Sequence, residues 1–309
     1  MFAQRGIGGG GRMLSQFGEH DFLDGRERAN YNLSAHIFRE TAAVMIGRIN
    51  VTVMLLLVAI SSATAQEIVT LPTRDGVTQS FLLLTPAPNE PAAVAVLFPG
   101  SAGNFRLRNE NGEIKFAPGN FLVRARSTFV EGGVAVAIVD TPSDQPQGMD
   151  DRFRLGDKHA ADIGAVVAAL KKRFDNAPVF LIGTSRGSVS AAATAGTLGA
   201  GVSGVALTST VYLAARSGPG LSGFDYSKVV APVLIVHHVD DGCRYTPYSE
   251  ARKLAEARRY PLITVKGGLP ATSDACEAFS PHGYLGKEPE TATAIVNWIL
   301  KKPYRENID

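Results

Sequence analysis

The stretch Gly183-Thr184-Ser185-Arg186-Gly187 places a serine between two glycines, directly after an apolar run. The pattern G-x-S-x-G is typical of a sharp strand-to-helix turn, in which the glycines permit close backbone packing and the serine hydroxyl is left exposed. Such a hydroxyl becomes a nucleophile when a neighbouring base takes its proton. The alternative interpretation is an ordinary turn that contains a serine, and the motif alone does not decide between the two.

Few side chains can serve as that base. After residue 65 the sequence holds four histidines, His159, His237, His238 and His282. His159 falls within a helical pattern, where a structural hydrogen bond is expected. His237 and His238 end an apolar run, where histidines of the core or its rim are expected. His282 lies in a loop ahead of the last helical segment, and we therefore predict that it is the base.

Apolar runs alternate with helical segments along most of the chain. Predicted strands cover 79–84, 93–99, 133–140, 178–185, 203–209, 231–239 and 260–267, and predicted helices cover 157–174, 186–199, 248–259 and 288–302. This alternation predicts an α/β fold, with a mainly parallel central sheet and helices on both faces. Reactive residues belong at the carboxyl ends of such strands, where Ser185, Asp241 and His282 follow one another in that order.

Four motifs, GTSRGS, HHVDDGCRYTP, PHG and FPGSAGN, together resemble those of the α/β-hydrolase superfamily. Within it, the chain is similar to compact bacterial serine esterases of dienelactone-hydrolase-like build. The resemblance covers almost all of residues 67–303, and it implies the α/β-hydrolase fold. The segment 210–231 between two predicted strands is too short for a helical lid domain, so we expect an open cleft. The loops 104–120 and 141–156 are expected to shape one wall of that cleft.

The resemblance also implies a catalytic triad of Ser185, Asp241 and His282. The acid in the related pattern stands four positions after the histidine that ends the strand, which here is His237. This spacing favours Asp241 over its neighbour Asp240, which is expected to point elsewhere and cap the turn. The carboxylate would hold the tautomer of the imidazole and stabilise the imidazolium.

An oxyanion hole is implied by the same resemblance. Its two donors would be the backbone N–H groups of Arg186, directly after the nucleophile, and of Ser101 in the sequence PGSAG. The alternative for the second donor is that the loop around Ser101 is simply a glycine-rich turn between a strand and a helix.

A serine nucleophile on this scaffold predicts acyl transfer to water, and we expect an exported hydrolase of carboxylic esters. A serine peptidase or amidase with the same triad is a first alternative, and turnover of anilides beside esters would distinguish it. A non-catalytic binding protein on a hydrolase scaffold is a second alternative. The intact set of Ser185, Asp241 and His282 argues against it. The expected substrate is a small-molecule or accessible ester.

Composition excludes several other classes. The formal net charge is +2 and no basic block occurs, so nucleic acid is not an expected partner. Two cysteines without zinc-ligand spacing, and the absence of G-x-x-x-x-G-K-[ST] and H-E-x-x-H, argue against zinc and P-loop chemistry. The sequence therefore predicts neither a metal nor a cofactor, and it does not indicate an oligomeric state.

The first 65 residues have a different character. Residues 1–44 contain the glycine-rich GIGGGGR and no sustained period, and are predicted to be a disordered or non-native extension. Residues 45–65 combine Arg48, a short apolar run and Ala63-Thr64-Ala65, which predicts a signal peptide cleaved before Gln66. The apolar run is shorter than the roughly 20 residues that span a bilayer. We expect a periplasmic or secreted catalytic domain, 66–309, without stable membrane insertion after cleavage.

Cys243 and Cys276 are predicted to form a disulfide. Cys243 stands two residues after Asp241, and Cys276 stands six residues before His282. If that acid and base are hydrogen-bonded, their loops lie side by side, within the reach of a disulfide. An exported protein also encounters an oxidising compartment, in which the bond persists. Two free thiols are the alternative.

Overall fold

The computed structural model describes residues 65–309. The predicted extension 1–44 and nearly all of the predicted signal peptide lie outside the described residues. Within this part of the chain, a nine-stranded sheet has the order β1-β2-β6-β3-β7-β8-β9-β10-β11, and β4 and β5 form a separate hairpin. The bounds are β1 Ala65–Arg74, β2 Val77–Thr85, β3 Ala93–Phe98, β4 Arg108–Glu110, β5 Glu113–Lys115, β6 Val134–Val139, β7 Val179–Thr184, β8 Gly204–Thr208, β9 Val233–His238, β10 Leu262–Val265 and β11 Asn307–Ile308.

The sheet is mainly parallel, as the sequence predicts. β2 pairs antiparallel with β1 and with β6, whereas β6-β3-β7-β8-β9-β10-β11 pair in parallel. The parallel strands β3, β6, β7 and β9 are buried along their whole length. Burial on both faces explains why these strands are nearly continuous apolar runs in the sequence.

Seven α-helices of the described residues connect the strands. They are α1 Phe121–Arg124, α2 Arg126–Glu131, α3 Asp151–Arg154, α4 Asp157–Arg173, α5 Gly187–Leu198, α6 Tyr248–Arg258 and α7 Glu288–Ile299. α1, α2 and α7 pack on one face of the sheet, and α4 and α5 pack on the other. Two apolar cores result, one on each face, and they hold the carboxyl ends of the central strands in fixed positions.

The segment between β8 and β9 contains a single 3₁₀ turn, Tyr226–Lys228, and no lid domain. This agrees with the prediction from its length. Among residues 65–309, no helix combines the length and the apolar character needed to cross a membrane.

Candidate active site

Ser185 follows β7 in the sharp turn that the motif predicts. A Cβ atom on Gly187 would lie 2.0 Å from the carbonyl oxygen of Phe98, and one on Gly183 would lie 2.2 Å from the carbonyl oxygen of Gly187. Only glycine fits at either position, because β3 and the start of α5 approach the turn so closely. Ser185 itself has a φ of 52°, a left-handed conformation that is costly for a side chain other than glycine and that clusters at functional sites.

A cavity of about 350 Å³ lies in front of this serine. Ser185 and His282 both line it. Its walls include residues from the loop after β3 and from the loop before His282, among them Gly100, Ser101, Phe105, Asn120, Phe121, Cys276 and Phe279. The segment 104–120 therefore does shape a wall, as expected, whereas the segment 141–156 contributes no lining residue, and that part of the expectation is wrong.

His282 is tied to Asp241 on one side of its ring. Its Nδ1 lies 2.9 Å from Asp241 Oδ2, and both side chains are buried. Because the carboxylate accepts, Nδ1 carries the proton and Nε2 presents its lone pair. Nε2 is buried and has no hydrogen-bond partner among residues 65–309. The ring is thus in the tautomer that a general base requires.

The backbone around His282 is also fixed. Pro281–Gly283 form a 3₁₀ turn, and Ser209 Oγ donates to the carbonyl of His282 at 2.7 Å. A Cβ atom on Gly283 would lie 1.9 Å from the carbonyl oxygen of Ala278, so the turn closes directly onto the preceding loop. No hydrogen bond joins Ser185 Oγ to His282 Nε2 within the described residues. Such contacts often tighten only when substrate binds.

Four donors surround the carboxylate of Asp241. Oδ1 accepts the N–H of Cys243 at 3.0 Å, and Oδ2 accepts the hydroxyl of Thr246 at 2.8 Å in addition to His282 Nδ1. Nε2 of His237 lies 3.3 Å from the same oxygen. Burial alone would raise the pKa of Asp241, but the hydrogen bonds from His237 and His282 outweigh burial and hold this pKa well below its usual range. The neighbouring Asp240 is exposed, and the carboxylate that His282 bonds is that of Asp241.

Thr246 and His237 are contacts that the sequence interpretation missed. The Thr246 hydroxyl also lies 3.3 Å from His282 Nδ1, so it touches both Asp241 and His282. His237 Nε2 donates to the carbonyl of Thr246 at 2.8 Å. This bond holds the His237 ring beside Asp241, so the ring does more than fill the core. The i, i+4 spacing of His237 and Asp241 was the one signal in the sequence for this contact.

The two other histidines differ in how well they match expectation. His238 accepts the N–H of Asp240 through Nδ1 and donates to the carbonyl of Gly267 through Nε2, each at 3.0 Å, and so shapes the turn before Asp241. The expectation that His159 makes a structural hydrogen bond is wrong, because neither ring nitrogen has a partner among residues 65–309. His159 instead packs against the rings of Phe98 and Phe153, and burial lowers its pKa to about 3, which keeps the ring neutral.

The loop after β3 lies directly against Ser185. A Cβ atom on Gly100 would lie 2.9 Å from Ser185 Cβ, and the next residue, Ser101, has a φ of 52°. The guanidinium of Arg154, which is 1% exposed, donates to the carbonyl of Ser101 at 3.1 Å and to Ser190 Oγ of α5 at 2.8 Å. A buried arginine therefore joins the predicted oxyanion loop to the helix that follows Ser185.

Arg186 is held by its side chain. Nη2 contacts Asp151 Oδ1 at 2.5 Å and the carbonyl of Ser217 at 2.9 Å. Asp151 is buried and also accepts the N–H of Gly220. The backbone N–H groups of Arg186 and Ser101 are not used in hydrogen bonds within residues 65–309, so both are available as donors.

Cys243 and Cys276 form a disulfide, as the sequence predicts, with their Cα atoms 4.5 Å apart. Cys243 donates its N–H to Asp241, and Cys276 lines the cavity. The crosslink therefore joins the loop of Asp241 to the loop that precedes His282. Within residues 65–309, no cluster of His, Cys, Asp and Glu could hold a metal ion.

The chain matches no family model and no curated protein. Several solved structures resemble it. Est1E from Butyrivibrio proteoclasticus is 18% identical with a TM-score of 0.54, over 76% of this chain and 98% of that chain. XC6422 from Xanthomonas campestris, described as a serine hydrolase without a lid, is 13% identical with a TM-score of 0.52, over 77% of this chain and 94% of that chain. The esterase domain of a Rhodothermus marinus protein is 17% identical with a TM-score of 0.50, over 77% of this chain and 99% of that chain.

Proposed function

We propose that this chain, which has the α/β-hydrolase fold, is a serine hydrolase that cleaves carboxylic esters through an acyl-enzyme. The observation that carries the proposal is the state of His282. Its Nδ1 is tied to the buried carboxylate of Asp241 at 2.9 Å, and its Nε2 is unpartnered in a cavity that Ser185 also lines. This arrangement is suited to taking a proton from a serine hydroxyl.

In the first half of the proposed reaction, Ser185 Oγ attacks the carbonyl carbon of the ester and its proton passes to His282 Nε2. The carbonyl π electrons move onto oxygen, and the N–H groups of Ser101 and Arg186 stabilise the resulting oxyanion. The oxyanion then re-forms the carbonyl, and the bond to the alcohol oxygen breaks. The alcohol leaves with the proton from Nε2, and the acyl group remains on Ser185.

Water completes the cycle. It gives a proton to His282 Nε2 as its oxygen attacks the acyl carbon. As the second tetrahedral intermediate collapses, the bond between the acyl carbon and Ser185 Oγ breaks, Oγ takes the proton back from Nε2, and the carboxylic acid is released. Asp241 stays ionised throughout, because its hydrogen bonds hold its pKa low. A permanently negative Asp241 stabilises the imidazolium that forms twice in each turnover.

The proposed substrates are esters with short or otherwise accessible acyl groups. The cavity volume of about 350 Å³ is near the lower end of the roughly 300–1,000 Å³ typical of small-molecule sites. Phe105, Phe121 and Phe279 give its walls an apolar character suited to an acyl chain.

We also propose that the protein is exported. The support is the signal-like pattern of residues 45–65, together with a disulfide of the kind that persists in oxidising compartments. Protein isolated from its host is expected to begin at or near Gln66. A full-length chain recovered from the cytosol with both thiols free would contradict export.

A panel of p-nitrophenyl esters of increasing chain length, assayed beside a p-nitroanilide, tests the function. We expect the short esters to be hydrolysed fastest and the anilide to be hydrolysed far more slowly. Ser185→Ala is expected to abolish turnover of all of them. Comparable rates on the anilide would favour the peptidase or amidase alternative, and no turnover by the parent protein would favour the binding protein.

A further inference from the structure

Asn120 presents a hydrogen-bond donor inside the cavity that nothing in the described protein uses. It lies directly before α1, and its Oδ1 accepts the N–H of Leu122 at 3.0 Å. Since only the oxygen of an amide can accept that bond, the orientation of the side chain is fixed and Nδ2 is its free end. Within residues 65–309, Nδ2 donates to no acceptor, although Asn120 lines the same cavity as Ser185.

The position of Nδ2 relative to the nucleophile follows from Gly100. A Cβ atom on Gly100 would lie 3.4 Å from Asn120 Nδ2 and 2.9 Å from Ser185 Cβ. Nδ2 and Ser185 Cβ are therefore no further apart than the sum of those two distances. Gly100 also directly precedes Ser101, whose N–H is the proposed oxyanion donor. The amide thus lies beside the place where a reacting carbonyl must bind.

A second asparagine of the same cavity shows what a purely structural amide does here. Asn104 accepts the N–H of Arg106 at 2.8 Å and donates from Nδ2 to the carbonyl of Pro146 at 2.6 Å. Both ends of that side chain are used to hold its loop. Asn120 uses one end for the same purpose and directs the other toward the cavity.

We propose that Asn120 Nδ2–H is an additional catalytic donor, which hydrogen-bonds the carbonyl oxygen of the substrate as that oxygen becomes negative. This inference rests on the proposed ester hydrolysis by Ser185. The amide transfers no proton: the proton of Ser185 still passes to His282, and Asn120 only stabilises the charge. Because the bond to Leu122 fixes the amide before substrate arrives, little reorganisation is needed in the transition state.

Three substitutions separate this role from helix capping. Asn120→Ser and Asn120→Asp keep an oxygen that can cap α1 but lose the N–H donor, and Asn120→Ala loses both. We expect Asn120→Ser to lower kcat about 100-fold, with little change in KM and an unchanged Tm. Asn120→Asp is expected to lower kcat further, since its carboxylate would repel the oxyanion. Asn120→Ala is expected to match the serine variant in kcat and to have a lower Tm.

The rate at which a fluorophosphonate labels Ser185 gives a readout that does not depend on the choice of ester. We expect labelling of Asn120→Ser to be at least about tenfold slower than that of the parent, because charge also develops on the phosphonyl oxygen. If Asn120→Ser has a kcat within about threefold of the parent at an unchanged Tm, the inference is overturned. A raised KM with an unchanged kcat in the same variant would also overturn it. That result would indicate that Asn120 contacts the substrate equally in the ground state and in the transition state.

These outcomes are distinguishable from failure of the proposed function. A parent protein that reacts with the probe at Ser185, beside an Asn120→Ser variant that reacts equally fast, overturns the role of Asn120 alone. A parent protein that neither reacts with the probe nor hydrolyses any ester overturns the proposed function, and the role of Asn120 with it.

Discussion

The two halves of the candidate site are built in different ways. The acid and base half, which contains Asp241 and His282 in those proposed roles, is held by side chains. Four donors converge on the carboxylate of Asp241, and a disulfide joins its loop to the loop before His282. The nucleophile half, which contains Ser185 in that proposed role, is held by close backbone packing. Ser185 has a left-handed φ, and the glycines on either side of it admit no Cβ atom.

The difference follows from what each half has to do. A residue that gains and loses a proton needs fixed electrostatic surroundings, and polar side chains provide them. A nucleophile needs an exposed hydroxyl in one position, and a tight turn provides that. We therefore expect the acid and base half to be sensitive to the loss of single polar groups, and the nucleophile half to be sensitive to shape. The loop of Ser101 beside Ser185 is the exception, because the buried guanidinium of Arg154 holds it.

The largest effect that tests this contrast is expected from Asp241→Asn. The amide preserves the shape of the side chain but no longer fixes the tautomer of His282, so kcat should fall about 10⁴-fold while the fold is retained. Asp240→Asn is the matched control, because Asp240 is exposed one residue earlier, and its kcat should stay within about twofold of the parent. Steady-state kinetics on one ester decide the matter, and equal losses in the two variants would contradict the assignment of the acid.

Arg154→Met tests the support of the nucleophile half. Without its guanidinium, the carbonyl of Ser101 and the hydroxyl of Ser190 lose their buried partner, which is expected to cost about 1–3 kcal/mol in the free energy of unfolding. We also expect kcat to fall at least about tenfold, because the loop after β3 would no longer hold its donor in place. Arg173→Met, at a half-exposed ion pair with Glu67, is the control and should alter neither quantity appreciably.

The disulfide should affect stability and activity together. Replacing Cys243 and Cys276 by serine opens a crosslink between residues 33 positions apart, which is worth about 3–4 kcal/mol in the chain-entropy model. Thermal unfolding of the double variant should shift down, and kcat should fall, because the loops of Asp241 and His282 are no longer tied. Full activity at a much lower Tm would limit the disulfide to a structural role.

The smallest expected effect concerns pH. The pKa of Asp241 is lower in the folded than in the unfolded protein, so its ionised form stabilises the fold above the unfolded pKa of about 3.9, and this stabilisation is lost progressively as the pH falls below about 5. Thr246→Val removes one donor to the ionised carboxylate and should make the folded pKa of Asp241 less depressed, so the stabilisation near neutral pH should be smaller, whereas Thr246→Ser should preserve it. Urea unfolding between about pH 3 and 7 measures the difference, and superimposable curves for both variants would argue against the contact.

Sequence patterns predict the strands well where both faces of a strand are buried. The runs that form β3, β6, β7 and β9 are apolar on both faces, and their bounds were predicted to within two residues. β1 was missed because it is an edge strand with much of its surface exposed, and the hairpin of β4 and β5 because its strands are only three residues long.

The triad candidates were accessible from the sequence because each follows a strand. The supporting residues were not. Thr246 touches Asp241 only because the acid loop folds back on itself, and Asn120 reaches the cavity only because the segment after β3 returns to it through a hairpin. Arg154 lies in the segment 141–156, which was expected to be a loop at the wall of the cleft, yet it belongs to α3 and its guanidinium is buried against Ser101. Contacts of this kind depend on tertiary packing and have no periodic signature.

The central claim is that Ser185 is the nucleophile, and the most direct test is to find where a fluorophosphonate reacts. The account predicts stoichiometric labelling, with the mass increase on the single peptide that contains Ser185, and no labelling of Ser185→Ala. Labelling that persists in Ser185→Ala, or a label recovered on any other residue, would contradict it.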